Sequence, residues 1–419
     1  MGAEDEVETF ELEEGEELRF EVGASASVEL QVTSGYAEVF GVELAQNRRY
    51  VFRNAKLALF TWKGCSVTLT GGTEVSYKVA ETPMAIYVNA HSVLQSKRKL
   101  AKELKMKGPR CIVVGPSSCG KTSLSAILLA YMLKENHSAF FVEADYSEGV
   151  LGTPGSIGAC AVEHIDVEQG PLFERPICFY YGHLDPSENT ECLMQLYSVL
   201  GASIDALFGQ HDELERRGFV ANGPATTIEK GFDVLKHAIT ALRIDTVLVM
   251  DAERLYASLV REFKTDKNVQ CVHVPKSGGV VTREDAFIRK FRNDRIKRYF
   301  YGPENELHPF TCVLGFDQFK VLRVGDSYQT PDSALPIGVV STLNPLELEA
   351  VSPSATLIHS VLGVSQATDE ADVMSKPVFG FCHVTKVDVP KRQMTVLAPS
   401  PGKLPGFFLV LGGVKWLEG

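Results

Sequence analysis

The sequence lacks the signatures of several protein classes. No apolar run approaches the roughly 18 residues that a membrane helix needs, and the N-terminus has neither the basic nor the apolar region of a secretory signal. The nine cysteines and ten histidines form no C-x-x-C or H-E-x-x-H spacing, which argues against a zinc site or a disulfide framework. We therefore expect a soluble, intracellular protein with reduced thiols and no membrane partner.

The sequence also has fewer basic than acidic residues. The net charge of -11 argues against non-specific coating of nucleic acid, although it leaves a local basic groove open. Basic residues do cluster between Ser92 and Lys107 in a helical pattern, which predicts either a solvated connecting helix or a nucleic-acid or nuclear-import patch. At 419 residues, the chain is long enough for two or three domains.

The first part of the chain predicts a small all-β domain. Short alternating stretches run from Leu18 to about Asn89, separated by Gly, Ser and Asn turn residues at nearly regular intervals. They are Leu18–Val22, Val28–Val32, Ala37–Leu44, Tyr50–Arg53, Leu57–Trp62, Ser66–Thr70 and Glu74–Val79. This spacing is typical of a β-sandwich or jelly roll, and we assign it to residues 1–90.

The middle of the chain alternates apolar strands with amphipathic helices. The predicted strands are Cys111–Val114, Ala139–Ala144, Ile177–Tyr181, Phe219–Ala221, Thr246–Met250 and Gln270–Val274. The predicted helices follow Lys121 and cover Glu188–Phe208, Glu229–Leu242 and Ala252–Phe263. Such alternation predicts an α/β domain with a mostly parallel sheet covered on both faces, here residues 91–302. Short strands rich in Pro and Ser follow, so residues 303–419 are expected to form a smaller C-terminal β-rich domain.

A phosphate loop lies at the start of this domain. The run Gly115–Thr122 (GPSSCGKT) follows a buried-strand pattern and precedes a helical pattern, which is the structural context that the G-x-x-x-x-G-K-[ST] motif requires. The expected contacts to the nucleotide come from Gly115, Pro116, Ser117, Ser118, Cys119, Gly120, Lys121, Thr122 and Ser123. Lys121 is expected to reach the β- and γ-phosphates, and the Thr122 hydroxyl to bind Mg²⁺. ATP is the expected nucleotide, because no guanine-specifying N-K-x-D run occurs. GTP is left open as an alternative.

Two aspartates follow predicted strands and are candidates for the catalytic carboxylate. Asp145 and Asp251 both stand at strand ends, and ligands of open α/β sheets gather at the carboxyl ends of the strands. Asp145 is favoured because Glu148 follows closely and supplies a second carboxylate for Mg²⁺. Asp251 follows the more purely aliphatic strand, and its alternative role is to cap the helix that starts at Ala252.

A basic segment lies near the end of the α/β domain. Between Arg283 and Tyr301 a helical pattern places Arg289, Arg292 and Arg295 three residues apart, with Phe287 and Phe291 as an apolar pair. Such a helix can lay arginines across transferring phosphates while its aromatic residues hold it to the domain, as a closing lid does. The lid is expected at about residues 276–300, and a solvated basic helix is the alternative.

Several further motifs accompany the phosphate loop. They are Leu18–Glu21 (LRFE), Ala37–Gly41 (AEVFG), Phe60–Cys65 (FTWKGC), Thr153–Gly155 (TPG), Asp251–Tyr256 (DAERLY), Pro275–Val281 (PKSGGVV), Arg295–Gly302 (RIKRYFYG) and Pro331–Ser333 (PDS). Together they resemble the polynucleotide 5′-hydroxyl kinase family, and within it the kinase subunit of the eukaryotic pre-mRNA cleavage complex. The resemblance covers nearly the whole chain, and the PKSGG and YFYG runs are its most specific parts.

The resemblance implies an N-terminal β-sandwich, a central P-loop kinase with an arginine lid, and a C-terminal domain. It implies transfer of the γ-phosphate of ATP to the 5′-hydroxyl of RNA, in tRNA splicing and mRNA 3′-end processing. The implied partners are 5′-hydroxyl RNA, factors of the pre-mRNA cleavage complex and the tRNA-splicing endonuclease, and the implied location is the nucleus. A non-catalytic scaffold that holds ATP in the same complex is the alternative.

The same resemblance implies roles for individual residues. Lys121, Asp145, Arg289, Arg292 and Arg295 match catalytic positions, with Asp145 as the carboxylate that activates the acceptor hydroxyl. Thr122, Asp145 and Glu148 are assigned to the metal, Glu17 and Phe40 to the nucleotide base, and Thr153 and Pro154 to the RNA. The chain departs from the family twice, since Tyr146-Ser147-Glu148 follow Asp145 where small residues and Gln are common, and no Gly-Trp follows the strand at Phe219–Ala221.

Overall fold

The computed structural model describes residues 7–136, 138–281, 283–325 and 344–417, without the side chains of residues 24 and 25. The motif Pro331–Ser333 therefore lies outside the described residues. The structure confirms the fold class: a central α/β domain with a parallel sheet lies between an N-terminal β-sandwich and a C-terminal β-rich domain.

The N-terminal domain is one sheet that folds into two layers through its long strands. Its strands are β1 (Val7–Leu12), β2 (Glu17–Gly35), β3 (Glu38–Val39), β4 (Val42–Glu43), β5 (Arg49–Phe60), β6 (Cys65–Thr70) and β7 (Val75–Val79). The first half of β2 pairs with β7 and the second half with β6, while β5 accompanies both halves.

The prediction of two separate strands at Leu18–Val22 and Val28–Val32 was wrong. Both are parts of β2, whose pairing with β5 shifts register between Val22 and Ser27. A β-bulge interrupts the hydrophobic alternation and bends the strand without ending it. The apolar side chains of the two layers then meet in a core of their own, which includes Leu18, Val28 and Val67.

The central sheet begins after a long helix, α1 (Met84–Leu104). The strands and helices that follow are β8 (Arg110–Gly115), α2 (Lys121–Asn136), β9 (Ala139–Glu143), β10 (Ser156–Val162), β11 (Ile165–Asp166), β12 (Gly170–Pro171), β13 (Ile177–Tyr180), α3 (Thr190–Phe208), α4 (Asp212–Arg217), β14 (Phe219–Ala225), α5 (Phe232–Ala241), β15 (Thr246–Met250), α6 (Glu253–Glu262), β16 (Gln270–Val274) and α7 (Asp285–Tyr301). Strands β16, β15, β8, β14 and β9 lie side by side and are parallel. Their carboxyl ends share one edge, which is where the phosphate loop and both candidate aspartates emerge.

Helix α1 packs on the central domain and is only partly solvated. The Arg98 side chain is buried and its Nε donates to the carbonyl of Arg217 over 3.0 Å. Lys97 pairs with Asp245. The prediction of a solvated connecting helix therefore holds for only part of this basic segment, because some of its basic side chains hold the helix to the central domain. No helix within the described ranges combines the length and apolar character that crossing a bilayer requires.

The C-terminal domain continues the central sheet. Its strands are β17 (Phe310–Gly315), β18 (Lys320–Val324), β19 (Leu348–Val351), β20 (Ser360–Ser365), β21 (Val378–Asp388), β22 (Gln393–Ala398) and β23 (Phe408–Lys415). Strand β21 pairs with β13 at Cys178 and Val378, so the two domains share a sheet. Strand β10, which carries small residues and was not predicted, lies between β9 and β13 and completes the connection.

Candidate active site

The phosphate loop has the backbone geometry of an anion cradle. It joins β8 to the first turn of α2, and it passes through positive φ values at Gly115, Ser118 and Gly120. A Cβ at Gly115 would lie 2.8 Å from the carbonyl oxygen of Met250, so this position has no room for a side chain. The loop thus turns its backbone N–H groups and the positive end of α2 toward one point, where a phosphate binds favourably.

Lys121 and Asp145 meet beside this loop. The Lys121 ammonium donates to the carbonyl oxygen of Pro116 over 3.2 Å and lies 3.9 Å from a carboxylate oxygen of Asp145. Both residues are buried, with 6% and 2% of their surface exposed. Asp145 is held in place by Ser147, whose N–H and hydroxyl donate to Asp145 Oδ1 over 3.0 and 2.7 Å. The sequence-predicted pair is therefore brought together, and its catalytic role stays a prediction.

Thr122 and Glu148 form the adjacent pair. The Thr122 hydroxyl donates to Glu148 Oε2 over 3.0 Å. Burial raises the pKa of Glu148, and the Asp145 carboxylate raises it further, while Lys121 and Thr122 act in the opposite direction. One hydroxyl and two carboxylates offer the oxygen ligands that Mg²⁺ prefers, and phosphates and water usually complete its octahedron. The residues present fit a magnesium ion bound together with a nucleotide.

Glu143 supports Asp145 from behind, although no motif in the sequence indicated this role. Its Oε1 accepts the N–H of Asp145 over 2.8 Å and the side-chain amide of Asn222 over 3.0 Å. Burial holds the pKa of Glu143 well above its ordinary value, and the neighbouring Asp145 and Glu148 carboxylates add to this effect. Glu143 therefore fixes the backbone at the point where Asp145 leaves β9.

The N-terminal domain forms the opposite wall of the cleft. Glu17 of β2 and Phe40, which follows β3, both line it. Glu17 accepts a hydrogen bond from Arg19 Nε over 2.9 Å and another from the Thr82 hydroxyl. Phe40 has φ +46 and packs against the core that surrounds α2. The two residues assigned to the nucleotide base thus face the cleft from the β-sandwich, and that assignment stays a prediction.

The three lid arginines occupy different environments on α7. Arg292 lines the cleft, and its Nε donates to the carbonyl oxygen of Ser147 over 3.3 Å. Arg295 stacks over the ring of Phe291 at 5.0 Å, and burial lowers its pKa while Glu148 raises it. Arg289 is exposed and does not line the cleft. Arg283, which was not singled out, lines the cleft and stacks over Phe291 at 5.3 Å.

The lid is anchored at its C-terminal end and not through the predicted aromatic pair. Phe287 is 38% exposed, whereas Ile296 and Phe300 are fully buried. The ring of Phe300 stacks on that of Trp416 at 5.7 Å, and the Tyr299 hydroxyl accepts the N–H of Phe381 over 3.0 Å. The prediction that Phe287 holds the helix was therefore wrong, because contacts of Tyr299 and Phe300 with the C-terminal domain anchor it instead. Phe291 is half-buried and lines the cleft.

Asp251 lies outside the cleft. Its carboxylate pairs with Lys276 at 2.7 Å, and its backbone has φ +45. The residue preceding α6 is Ala252, which makes no side-chain cap. The alternative that Asp251 caps this helix was therefore wrong, since the left-handed backbone and the salt bridge direct its carboxylate to the segment that follows β16.

Thr153 and Pro154 are buried and do not line the cleft. They form a turn between Gly149 and Gly155, both with positive φ. A Cβ at Gly149 would lie 2.2 Å from the nitrogen of Pro154, so the turn folds tightly on itself. Their assignment to the RNA stays a prediction.

These elements define a class of protein. A phosphate loop between a parallel strand and a helix, a buried lysine–aspartate pair and an arginine-bearing helix over the cleft are the parts of a P-loop nucleotide-binding protein of the phosphotransferase type. Family descriptions match almost all of the chain: an N-terminal beta-sandwich domain of polyadenylation factor at residues 11–101, the mRNA cleavage and polyadenylation factor CLP1 P-loop at 115–302, and the pre-mRNA cleavage complex II protein Clp1 at 307–418. The chain belongs to the Clp1 family.

Relatives of similar length share more than a third of the residues. A polyribonucleotide 5′-hydroxyl-kinase Clp1 of Gallus gallus is 39% identical over 420 residues, covering 99% of this chain and 97% of that protein. The Homo sapiens protein of the same name is 38% identical over 416 residues, covering 98% and 96%. A solved structure of a wild-type Clp1p–Pcf11p (454–563) complex matches with a TM-score of 0.84 and 23% identity over 99% of both chains, which shows the shared fold.

Proposed function

We propose that this protein is an ATP-dependent RNA 5′-hydroxyl kinase, which transfers the γ-phosphate of ATP to the terminal 5′-oxygen of RNA. The single observation that carries the proposal is the Lys121–Asp145 pair at 3.9 Å beside the phosphate loop. A nucleotide-binding scaffold needs the loop and its lysine. It has no need of a buried carboxylate at the phosphate edge, which accepts from Ser147 and whose backbone N–H donates to Glu143.

Asp145 would act on the acceptor. A carboxylate within hydrogen-bond reach of an alcohol orients it and takes up its proton as the new O–P bond forms, which makes the oxygen a better nucleophile. The oxygen attacks the γ-phosphorus, the bond to the β–γ bridging oxygen breaks, and ADP leaves.

The remaining charges in the cleft would stabilise the transferring group. Lys121 and the loop amides would contact the β- and γ-phosphates, and Arg292 lies beside Ser147 on the lid side of the cleft. Phosphoryl transfer depends mainly on such positioning and charge stabilisation. Thr122, Asp145 and Glu148 would hold Mg²⁺, which neutralises phosphate charge when bound.

Because no Gly-Trp follows the strand at Phe219–Ala221, as is common in the family, other residues must hold the acceptor RNA. The run Gly223–Thr227 (GPATT) stands at this place, and a Cβ at Gly223 would lie 2.6 Å from the carbonyl oxygen of Val113. Both tryptophans of the chain, Trp62 and Trp416, belong to other domains. Stacking of the bases of the acceptor RNA is therefore expected to involve the aromatic side chains of the lid helix α7.

The names of relatives support the reaction and the setting. Relatives of high coverage are named polyribonucleotide 5′-hydroxyl-kinase, and neighbours of the same fold were solved in complex with Pcf11p. We propose the same RNA class for this chain and an association with pre-mRNA cleavage factors. Work in tRNA splicing with the tRNA-splicing endonuclease, and a nuclear location, belong to this proposal through the family resemblance.

A transfer assay with two matched acceptors tests the activity. Purified full-length protein, Mg²⁺ and ATP labelled at the γ-phosphate are incubated with one short RNA that ends in a 5′-hydroxyl and with the same RNA carrying a 5′-phosphate. The expected result is label on the first RNA alone. Stable binding of ATP with no label on either RNA would contradict the kinase and support a scaffold that holds ATP.

A further inference from the structure

Arg19 joins the N-terminal domain to the segment that precedes the lid. It lies two residues after Glu17 on β2, so both side chains project from the same face of the strand. Arg19 is 7% exposed. Its Nε donates to Glu17 Oε2 over 2.9 Å, and one terminal nitrogen donates to the carbonyl of Glu81 and to the hydroxyl of Ser277, both over 3.2 Å.

The segment Ser277–Val281 is packed directly on this guanidinium. The Ser277 hydroxyl that accepts from Arg19 also accepts the N–H of Gly279 over 3.2 Å. A Cβ at Gly279 would lie 2.8 Å from Cδ and 2.9 Å from Nε of Arg19. The backbone of Gly279 is not left-handed, so the glycine is needed here for space and not for its conformation.

The same segment reaches the phosphate loop. A Cβ at Gly120 would meet the Val280 side chain at 3.1 Å, so Val280 lies against the turn that cradles the phosphates. Arg283 and Phe291 of the lid region line the cleft two and ten residues beyond Val281. The placement of Ser277–Val281 thus determines where the lid begins.

We propose that Arg19 is a positioning residue for phosphoryl transfer, which holds Ser277–Val281 over the phosphate loop and couples this segment to the base-facing carboxylate of Glu17. Glu17 lines the cleft and shares its carboxylate with Arg19. A group that binds Glu17 from the cleft contacts the same carboxylate as Arg19. Binding at Glu17 and the position of Ser277–Val281 are therefore linked. The effect on rate rests on the proposed kinase activity, whereas the coupling itself does not.

An arginine is required by this arrangement. Its planar guanidinium offers five N–H donors in fixed directions, which suits three acceptors that belong to β2, to the segment after β7 and to Ser277–Val281. A lysine keeps the charge but reaches such divergent acceptors poorly. Because the group is buried, removing it leaves the Glu17 carboxylate and the Ser277 hydroxyl without this partner.

Hydrogen exchange of the full-length protein tests the positioning role without any RNA. Exchange of the backbone amides of residues 277–281 is compared in wild type, Arg19→Ala, Arg19→Lys and Gly279→Ala, with and without ATP. We expect at least about tenfold faster exchange in all three variants, least for lysine, since local opening reports the loss of local contacts. Arg49→Ala is the matched control, because Arg49 makes an exposed ion pair with Glu29 on the same domain.

A double variant separates the contact from general destabilisation. The three atoms nearest to a Cβ at Gly279 all belong to the Arg19 side chain beyond its Cβ, so in the Arg19→Ala background the second change should add little, whereas independent effects would add in full. If transfer to RNA is measured as well, kcat should fall about tenfold to a hundredfold, with KM for RNA nearly unchanged. Wild-type exchange at residues 277–281 in Arg19→Ala, or full additivity of the two changes, would overturn the proposal. Faster exchange in the variants of a protein that does not label RNA would support the coupling and contradict only the proposed kinase activity.

Discussion

Arg292 of the lid donates from Nε to the carbonyl oxygen of Ser147 over 3.3 Å, while the N–H and hydroxyl of Ser147 donate to Asp145. One residue therefore connects the lid arginine to the strand-end carboxylate. The contact brings a cation to the place where Lys121 and Asp145 meet, and it gives the lid helix a defined position over the phosphate loop.

The geometry of Arg292 predicts that its charge alone is insufficient. Arg292→Lys is expected to lose much of the transfer rate, because only a guanidinium binds phosphate oxygens in a bidentate way. Arg292→Ala should be worse, and the loss for a transition-state arginine reaches roughly 10³-fold. Arg298→Ala is the matched control, since Arg298 donates to the carbonyl of Gln169 away from the cleft. The check is the single-turnover rate with 5′-hydroxyl RNA, and wild-type rates in both Arg292 variants would show that the lid assignment is wrong.

The Thr122 hydroxyl is predicted to act through magnesium. Thr122→Val removes the hydroxyl at similar volume, so it should weaken ATP binding in the presence of Mg²⁺ by about tenfold or more and leave binding in EDTA almost unchanged. Thr122→Ser keeps the hydroxyl and should restore most of the affinity. Titration calorimetry with and without Mg²⁺ makes the comparison. An equal loss in both conditions would assign the hydroxyl to packing.

The two strand-end aspartates are predicted to differ in kind. Asp145→Asn should remove RNA phosphorylation while ATP affinity stays within about tenfold, because a base contributes mainly in the transition state. Asp251→Asn should leave the rate nearly unchanged and act on stability through the partly exposed Lys276 pair, which contributes at most about 1 kcal/mol. Kinetics and urea unfolding of both variants decide between them. Reversed effects would make Asp251 the catalytic carboxylate.

Glu143 predicts a specific dependence of stability on pH. Burial raises its pKa in the folded protein well above the ordinary 4.5, so the folded state keeps a proton that the unfolded state releases. Its contribution to the free energy of unfolding is fully present below about pH 4.5 and is lost as the pH rises through the folded-state pKa. Glu143→Gln cannot titrate and should lack this loss.

Urea unfolding of both proteins between about pH 5 and about pH 8 checks the sign. The free energy of unfolding of wild type should fall relative to that of Glu143→Gln as the pH rises. Among the described residues, Asn222 Oδ1 has no hydrogen-bond partner, so a flip of the Asn222 amide lets it accept from the side-chain amide of the Glu143→Gln variant. A constant difference between the two proteins across this range would mean that Glu143 is ionised in the fold.

The phosphate loop and the position of Asp145 at the end of a strand can be predicted from the sequence, because local signals determine both. The motif Gly115–Thr122 needs only a strand before it and a helix after it, and Asp145 stands where a buried apolar run ends. Such features depend on neighbours in the chain. Strand β2 was harder, because a bulge near Val22 looks like a turn in the pattern of alternation.

Contacts between residues far apart in the chain could not be predicted from the sequence. Glu143 was taken as part of an apolar strand, yet it meets Asn222, which is 79 residues away. Phe300 packs on Trp416 and Arg19 on Ser277, so the lid depends on both outer domains. No spacing along one helix or strand encodes such partners, and this is also why Phe287 was wrongly chosen as an anchor.

The most direct test of the kinase is label transfer by wild type and by Lys121→Ala to 5′-hydroxyl RNA. We expect the Lys121 ammonium to contact the β–γ bridge, which gains negative charge during transfer, and removing one such contact commonly costs about 10²- to 10³-fold in rate. Wild type is therefore predicted to label the RNA and Lys121→Ala to label it at least about a hundredfold more slowly. An unlabelled RNA with wild-type protein that binds ATP, or equal rates for the two proteins, would contradict phosphoryl transfer at this site.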